Sequence, residues 1–512
     1  MGLSALLLLP AFCLLSFAVA ASGPLPDPAN FLVFGPGLDG RRTLPVRYLF
    51  VQMRDTAGRQ LDDASLPEVD SDALRLELSA AGSEDRRLRY TSEALRLGGG
   101  LYVLRYRLHE TVHSDASLSV FYFGMPVAQS PYRLSGPLRD EQCNCPQMDL
   151  SGWLDYHGCR SFNYSQLEAD FARFSGPAGI QMPIVAAEAA KRFDNDGAYA
   201  YCRYVIKDNE LYRSCFGKHT GFTFMSDPLL LSLLRKFRAP DLDFILNLGD
   251  WPLSRLDRLP HLPILSWCGS RHTSDIVLPT YELTEATVSM MDRIYNDLMR
   301  TAHDSMRYRW PNRLSRAFFR GRDSNKRRLE LVQLSMAKPD LVDARLTNMF
   351  FFQHEKSLGD IVKHVPLGDF FKYKYQVSID GTVAAYRLPF LLAGGSPVLK
   401  QDSDYYEHFY RDLEPMKHYV PLREDLGDLE ERLAWLRAHD SQAEKIGESG
   451  RQFVLNRLMP EQVLCYLGQV LERYGQLLRS PVAVSQSYEH IKQPSDSNCR
   501  CDWTGPGVRD EL

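Results

Sequence analysis

The spacing of apolar residues changes near residue 140, and this change limits the possible folds most strongly. Before it, apolar and polar residues alternate, as in Thr43–Met53 (TLPVRYLFVQM) and Leu101–Leu108 (LYVLRYRL). A period of two residues is typical of strands with one buried face. Leu118–Phe123 (LSVFYF) is a further strand candidate, and glycine-rich turns at 35–37 and 98–100 separate these runs. We therefore predict an N-terminal β-sandwich over residues 24–136.

From about residue 140 to 480, short apolar runs alternate with amphipathic stretches. The strand candidates are Phe244–Leu248, Pro263–Trp267 and Val398–Leu399, and the helix candidates are Leu229–Phe237, Leu426–His439 and Pro460–Leu478. Such alternation predicts an α/β unit of two doubly wound lobes. The polar tail beyond residue 480 is expected to be loose.

The charge balance excludes some functions. The chain has 60 Lys and Arg against 64 Asp and Glu, a net charge of −4. A general nucleic-acid or anionic-membrane binder needs a basic surface, so neither partner is expected. Apolar residues make up 44% of the chain and charged residues 24%, values that exclude a largely disordered protein.

The two ends predict passage into the endoplasmic reticulum. Residues Met1–Ala20 combine an apolar run with Ala18-Val19-Ala20, the pattern of a cleaved signal peptide; the alternative is an N-terminal membrane anchor. No later run is long enough to span a membrane. The chain ends in Arg509-Asp510-Glu511-Leu512, a variant of the signal read by the KDEL receptor. Asn163 begins a glycosylation sequon that fits a luminal protein.

Removal of the signal peptide leaves nine cysteines, most of which should pair in an oxidising lumen. Cys143-Asn-Cys145 and Cys499-Arg-Cys501 are too closely spaced for internal bridges, so each cysteine should pair elsewhere. A zinc site is the alternative, but no second ligand pair has suitable spacing. Cys215 has no evident partner.

Asp250 is the first candidate for catalysis. It follows the apolar run Phe244–Leu248 and Gly249, which permits a sharp turn. Ligands of open α/β sheets bind beyond the carboxyl ends of strands, where this carboxylate could act as a general base. The alternative is an ordinary turn aspartate before Trp251-Pro252.

Two further segments are candidates for anion binding. Ala317–Arg328 (AFFRGRDSNKRR) places five cations after a short strand, and a solvated basic helix start is the alternative. In Phe371–Arg387, Asp380-Gly381 predicts a turn and Thr382-Val383-Ala384-Ala385 the start of a helix that carries Arg387. Such a helix start could bind phosphate, whereas the alternative is a hairpin turn and ordinary packing. Glu407 could bind a ribose diol or be a solvated helix residue.

Together these motifs resemble a known family. Two segments, Phe34–Leu38 and Ala128–Tyr132, resemble parts of the filamin-type immunoglobulin-like repeat. Leu246–Pro252, Phe319-Arg320-Gly321, Lys372–Tyr375 and Asp380–Arg387 occur in the order found in the CAP10-like protein O-glucosyltransferases. The whole chain is similar to their KDEL motif-containing subgroup.

The resemblance implies a GT-B architecture with two Rossmann-like lobes. Residues 140–310 would form the acceptor-side lobe and residues 311–480 the nucleotide-sugar lobe, with the final helices returning to the first lobe and a polar tail over 481–512. The implied reaction is inverting transfer of glucose from UDP-glucose to a Ser of a folded EGF-like repeat, in a secreted or cell-surface protein.

The resemblance also assigns residues. Asp250 matches the catalytic base, and Cys143 and Cys465 match a disulfide, with Cys145 and Cys159 as further disulfide candidates. The donor-binding candidates are Arg320, Arg322, Ser324, Arg328, Thr382, Val383, Ala384, Ala385, Tyr386, Arg387 and Glu407. Arg328 and Arg387 are the principal candidates for the diphosphate, since arginines can replace a metal there. We therefore predict no cofactor and no metal. Asp241-Leu242-Asp243 has the spacing of a metal motif but precedes its strand.

Other interpretations remain open at this stage. Residues 301–314 (TAHDSMRYRWPNRL) lack the longer loop of the subgroup. The chain could be a luminal binding protein for EGF-like substrates with an inactive catalytic unit, a transferase that uses UDP-xylose, or one that acts on glycans.

Overall fold

The protein is described by a computed structural model that covers residues 25–501, apart from 64–65, 67–72, 81–87, 195–199, 293, 295, 354, 495–498 and 500. The predicted signal peptide and the terminal Arg509–Leu512 lie outside the described residues. Within the described part of the chain, no helix has the length and apolar character needed to cross a membrane.

The N-terminal unit is a β-sandwich. One sheet has the order β1-β2-β5-β4, and the other has the order β3-β6-β7 with β8 also on β6. The strands are β1 Leu32–Phe34, β2 Arg47–Gln52, β3 Leu74–Ala80, β4 Tyr90–Gly98, β5 Leu101–Leu108, β6 Ala116–Tyr122, β7 Met125–Pro126 and β8 Tyr132–Leu134. Short 3-10 helices lie at Pro28–Asn30 and Pro36–Leu38. The turn between β4 and β5 uses positive φ at Gly98, Gly99 and Gly100, a conformation that glycine adopts without steric cost.

β5 is buried on both faces, unlike the half-buried strand that its sequence predicts. Leu104 and Tyr106 point into the sandwich core, whereas Val103 joins the core of the following α/β unit. Leu44 and Val46, predicted to be in a strand, precede β2 and also pack into that second core. One face of the sandwich is therefore covered by the rest of the protein.

The first α/β lobe has a six-stranded sheet in the order β14-β12-β11-β9-β10-β21. β11, β12 and β14 are parallel, and β9, β10 and β21 are antiparallel additions. Its elements are α1 Leu150–Tyr156, α2 Ser165–Ala172, α3 Met182–Phe193, β9 Ala200–Lys207, β10 Glu210–Gly217, α4 Thr223–Lys236, β11 Leu242–Asn247, β12 Ile264–Ser266, β13 Gly269–Ser270, β14 Ile276–Val277, α5 Tyr281–Val288 and α6 Leu298–Ser305, with 3-10 helices at Cys159–Ser161 and Thr220–Phe222.

The second lobe is a parallel five-stranded sheet in the order β16-β15-β17-β18-β20. Its elements are β15 Leu314–Arg322, α7 Lys326–Ala337, β16 Val342–Asn348, β17 Tyr373–Ser378, α8 Leu388–Ala393, β18 Val398–Gln401, β19 Tyr405–Tyr406, β20 Val420–Leu422, α9 Leu429–Ala438 and α10 Asp440–Arg457. Further 3-10 helices lie at Trp310–Asn312, Lys356–Leu358, Leu367–Lys372 and Tyr410–Asp412. The prediction of a β-rich N-terminal unit followed by an α/β unit is confirmed.

The chain then returns to the first lobe. α11 (Pro460–Leu477) buries its apolar face in the first-lobe core, where the Tyr474 ring lies against Phe244 of β11. β21 (Glu489–Ile491) pairs with β10, so the expectation of a loose tail is wrong for this part of the chain. The cause is an open sheet edge: β10 offers unpaired backbone groups, and an added strand satisfies them.

Four disulfides are present among the described residues. Cys143 bonds Cys499 and Cys145 bonds Cys501, so the two C-x-C motifs pair with each other. Cys159 bonds Cys465, and Cys202 bonds Cys215 across β9 and β10. The implied Cys143–Cys465 bond is therefore wrong. Cys465 lies on the part of α11 that packs on α1 and the 3-10 helix of Cys159, whereas Cys143 lies beside the returning tail.

Candidate functional site

Segments that follow parallel strands of the two sheets meet, since β13, after β12, pairs with β19, after β18. In the second lobe the strand order has a switch point between β15 and β17. From β15 the sheet extends on one side to β16, and from β17 it extends on the other side to β18. Open α/β sheets bind ligands at such a switch point, beyond the carboxyl ends of the strands. The segment after β17 contacts the first lobe here, with the Tyr386 ring 5.3 Å from the ring of Tyr281. The candidate site is the cleft between these segments.

Asp250 lies in a turn that β11 holds rigidly. Asn247, the last residue of β11, accepts a bond from Gly249 N at 2.9 Å and donates to the Trp251 carbonyl at 2.7 Å. These two bonds fix the residues on either side of Asp250. Its half-buried carboxylate accepts a long hydrogen bond from the Tyr281 hydroxyl at 3.4 Å. The sequence identified Asp250, but not the asparagine that positions it.

Most of the groups around Asp250 are partly or fully buried. Burial raises the pKa of Asp250, and the Tyr281 hydrogen bond offsets part of this rise. The Cys268 thiol donates to the Asp250 carbonyl oxygen at 3.3 Å, and burial raises the pKa values of Cys268, Tyr281 and Tyr386. These groups therefore keep their protons at neutral pH. A carboxylate with a raised pKa is a stronger proton acceptor, as a general base requires.

Across the cleft, Arg387 supplies positive charge. It donates to the Arg320 carbonyl and is the N-cap residue of α8. Burial lowers the pKa of Arg387, the Glu282 carboxylate opposes this effect, and Arg322 adds to it. Burial also raises the pKa of Glu282, which faces both Arg387 and Asp250. The arrangement favours an anion beside Arg387, since an anion would relieve the repulsion between the arginines.

Arg328 is mostly engaged within the protein. It donates to the carbonyls of Ile379, Asp380 and Arg322 and to the Ser324 hydroxyl, at 2.8–3.2 Å. Burial and the nearby Arg387 lower its pKa to about 9. Arg328 thus ties together the segments that follow β15 and β17, which form the walls of the site.

The other charged residues predicted to bind the donor lie in different environments. Arg320 turns away from the cleft, pairs with Asp343 at 2.8 Å and lies over the Phe318 ring. Arg322 is exposed and lies over the Phe350 ring. Glu407 is completely buried; its carboxyl accepts from Tyr410, and burial raises its pKa well above the usual range. It is neither solvated nor open to the cleft.

The helix predicted to start at Thr382 begins instead at Leu388. Residues 381–384 form bends, in which Gly381 N–H donates to the Val383 carbonyl at 2.9 Å, and residues 386–387 form a turn. Pro389 explains the later start, because proline is tolerated in the first turn of a helix but would break a helix that began at Thr382 and placed it in the interior. Val383, Ala384, Ala385 and Tyr386 are buried, and Thr382 is half-buried.

The remaining predicted features lie away from the cleft. Asp241 and Asp243 lie at the opposite end of β11, paired with Lys207 and Arg203. Asn163 is exposed just before α2. A cavity of about 450 Å³ lies between α2 and the end of β18. It includes none of Asp250, Arg328 and Arg387, so the strand ends and charges define the candidate site better than this cavity does.

Several site residues were missed by the sequence reasoning. Tyr281 and Glu282 begin α5 directly after the short strand β14, with Thr280 as N-cap, and Cys268 follows β12. The rule that identified Asp250, that functional groups follow the carboxyl ends of parallel strands, also applies to these positions. β12 lies within the predicted strand Pro263–Trp267, whereas β14 has only two residues and gives no strand pattern in the sequence.

Comparison with known proteins assigns this arrangement to a class. Residues 156–504 match the model of Glycosyl transferase family 90, and the chain belongs to this family. It is 43% identical to human Protein O-glucosyltransferase 3 over 507 residues, with 97% of each chain covered. It is 40% identical to zebrafish (Danio rerio) Protein O-glucosyltransferase 2 over 484 residues, with 94% of each chain covered.

A more distant relative aligns with a smaller part of this chain. Human Protein O-glucosyltransferase 1 is 28% identical over 414 residues, covering 78% of this chain and 97% of its own. The Lin-41 filamin domain matches 22% of this chain with 16% identity and a TM-score of 0.17, a likeness too low to classify the sandwich.

Proposed function

We propose that the protein is an inverting O-glucosyltransferase that transfers glucose from UDP-glucose to a Ser hydroxyl of a folded EGF-like repeat. The observation that carries the proposal is that Asp250, a carboxylate with a raised pKa, and the half-buried cation Arg387 both lie close to Glu282, where the two lobes meet. The curated relatives are named as protein O-glucosyltransferases, which supports a protein acceptor.

In this mechanism Asp250 removes the proton of the acceptor Ser as its oxygen attacks the anomeric carbon. The bond from that carbon to the UDP oxygen breaks, and configuration inverts because one in-line displacement occurs. The charge of the leaving diphosphate develops beside Arg387, where a preorganised cation stabilises it. Arg328 acts as a positioning residue, since it fixes the walls that hold the donor. We propose that the reaction requires no metal.

The wider context follows from the same proposal. The two facing lobes would correspond to a GT-B arrangement and the sandwich to a filamin-type domain. We place the enzyme in the lumen of the endoplasmic reticulum, where its terminal tetrapeptide would be read by the KDEL receptor and its substrates would be EGF-like repeats of secreted or cell-surface proteins.

The test is a transfer assay with the mature protein, a folded EGF-like repeat and EDTA, read by intact mass. UDP-glucose and UDP-xylose are supplied separately, and Asp250→Asn is assayed in parallel. A hexose gain that the variant loses supports the donor, the base and metal independence together. A pentose gain alone changes the donor. No transfer to any folded repeat, by a protein that still binds UDP, rejects the acceptor, and failure to bind UDP favours the inactive binding protein.

A further inference from the structure

The turn that carries Asp250 leads into a segment that a second carboxylate holds. Asp275, directly before β14, is buried. Its two carboxylate oxygens accept hydrogen bonds from the backbone N–H groups of Leu253 and Ser254, each at 2.8 Å. Both residues follow Asp250 closely in the chain. Asp275 therefore fixes the point at which the chain leaves the turn.

The same carboxylate is also connected to the residue that begins the turn. Ser266, the last residue of β12, donates its hydroxyl proton to Asp275 Oδ1 at 2.7 Å. The Ser266 oxygen in turn accepts a hydrogen bond from Asn247 Nδ2 at 3.2 Å. Asn247 holds the residues on either side of Asp250, and all three members of this network are buried. Asp275 thus supports both ends of the turn.

An ionised carboxylate suits this role better than a neutral group. Burial raises the pKa of Asp275 to about 6, although the hydrogen bonds from Leu253, Ser266 and Ser254 oppose the rise. The group is therefore mostly ionised at neutral pH, and hydrogen bonds to a charged acceptor are about twice as strong as neutral ones. An amide at this position has one acceptor oxygen, and its NH₂ group would face another donor.

We propose that Asp275 is a positioning residue for the transfer, which acts on the catalytic base Asp250 through the turn at 247–254. This inference rests on the proposed function and adds a residue that acts only through others. The rate of an in-line displacement depends on where the base lies, and a shift of about 1 Å can cost about 100-fold. The three hydrogen bonds that Asp275 accepts all come from this turn or from Ser266, which supports it, so its loss should displace Asp250 rather than the donor site.

The test is Asp275→Asn in the full mature chain, assayed for transfer from UDP-glucose and for UDP binding by calorimetry. We expect kcat to fall by roughly 10- to 100-fold, because the base is displaced. The UDP affinity, the number of UDP sites and the KM for UDP-glucose should stay at the wild-type values. Ser266→Ala is a second variant, which removes only the connection to Asn247 and should lower kcat by a smaller factor.

Asp170→Asn is the matched control. Asp170 is also a buried carboxylate with a raised pKa, and it accepts a hydrogen bond from Val277 N of β14 at 2.9 Å. Its other hydrogen bond comes from Gln166 at 2.6 Å, so both bonds lie outside the turn at 247–254. This variant loses a comparable buried charge on the same strand, and its kcat should stay near the wild-type value.

Hydrogen exchange read by mass spectrometry follows the turn without any reaction. Peptides that contain Gly249, Leu253 and Ser254 should exchange faster in Asp275→Asn than in the wild type, because these N–H groups lose an acceptor or the support of Asn247. Peptides from α7 of the second lobe should exchange alike in the two proteins.

Each outcome separates the two proposals. A wild-type kcat per UDP-binding site in Asp275→Asn, even with a lower melting temperature, makes the role purely structural and overturns the inference. An equal fall of kcat in Asp170→Asn, or loss of UDP affinity together with kcat, overturns it as well. If Asp275→Asn does not fold, a wild-type kcat in Ser266→Ala has the same meaning. A wild type that transfers no glucose defeats the proposed function itself, whereas hydrogen exchange still decides whether Asp275 holds the turn.

Discussion

Replacing Arg328 by Lys should weaken the donor-side wall of the cleft even without ligand. The guanidinium has five N–H groups, and hydrogen bonds to Ile379, Asp380, Arg322 and Ser324 engage four of them. At most one N–H group is left for a phosphate. Arg328 therefore differs from Arg387, whose described hydrogen bond is to a single carbonyl.

The size of the effect follows from these bonds. An ammonium group is a compact donor that cannot span acceptors spread around a planar fork, so we expect the Arg328→Lys variant to keep two of the four bonds at best. Two lost charge-assisted bonds at ~1.5–3 kcal/mol each give about 3–6 kcal/mol. The lowered pKa of Arg328 shows that its charge is already costly to bury, which favours the lower end, about 3 kcal/mol. For a lobe of this size, that corresponds to a fall in melting temperature of roughly 6–12 °C.

The assay combines thermal unfolding of the unliganded protein with calorimetric titration of UDP. Arg328→Lys should lower both the melting temperature and the UDP affinity, whereas Arg387→Lys should lower the affinity with a much smaller thermal effect. If Arg328→Lys melts like the wild type and still loses UDP binding, Arg328 is a direct ligand and the positioning role is refuted.

Two other predictions follow from buried carboxylates. Because burial raises the pKa of Asp250 and only the deprotonated form accepts a proton, activity should fall with decreasing pH through a midpoint above the ordinary Asp value; a kcat/KM profile flat down to about pH 4 would contradict this. Glu141 is buried and accepts bonds from Lys236 at 2.8 Å and Arg235 at 3.0 Å. Glu141→Gln leaves these cations without a counter-charge and should cost about 3–5 kcal/mol in urea unfolding, whereas breaking the exposed Lys338–Glu430 pair should change little.

The sequence predicted what depends on local pattern. β5 has the predicted bounds of Leu101–Leu108, and α11 (Pro460–Leu477) ends one residue before its prediction, since strong periodicity and the proline at its start are local signals. Asp250 was identified because its position after an apolar strand is visible in the chain. The predicted start of α8 was wrong because the small residues at 382–385 suit a tight bend as well as a helix. Only Pro389 distinguishes the bend from the helix.

Tertiary contacts determine what the sequence could not. Whether Arg328 and Arg387 bind a ligand or the protein depends on which carbonyls lie nearby, and those carbonyls come from distant segments. Glu407 belongs to a polar-looking run, YYEHFY, yet is completely buried because β19 crosses to pair with β13 of the other lobe. The disulfides show the same limit, because spacing excludes bridges within each C-x-C motif but does not identify partners more than 300 residues away.

The sandwich, whose role the sequence left open, contacts three helices of the α/β unit. Arg105 of β5 forms a buried ion pair with Asp297 at the start of α6, and Arg42 pairs with Glu461 of α11. Arg451 of α10 donates to the Leu97 carbonyl of β4 at 3.0 Å. One rigid β-unit therefore holds a helix from the first lobe, a helix from the second and the helix that returns between them.

The lobes are also joined directly beside the site. Gly269 and Ser270, just after β12, pair with Tyr406 and Tyr405, and a Cβ on Gly269 would lie 2.4 Å from the Tyr406 ring. The close approach leaves room for glycine alone. The pairing of β13 with β19 between the lobes therefore depends on glycine at position 269. With the ladder on one side and the sandwich on the other, opening of the cleft would require breaking backbone hydrogen bonds and buried ion pairs together. In the proposed mechanism, contacts of this kind would limit the reorganisation needed around Asp250 and Arg387 when substrate binds, as electrostatic stabilisation of a transfer requires.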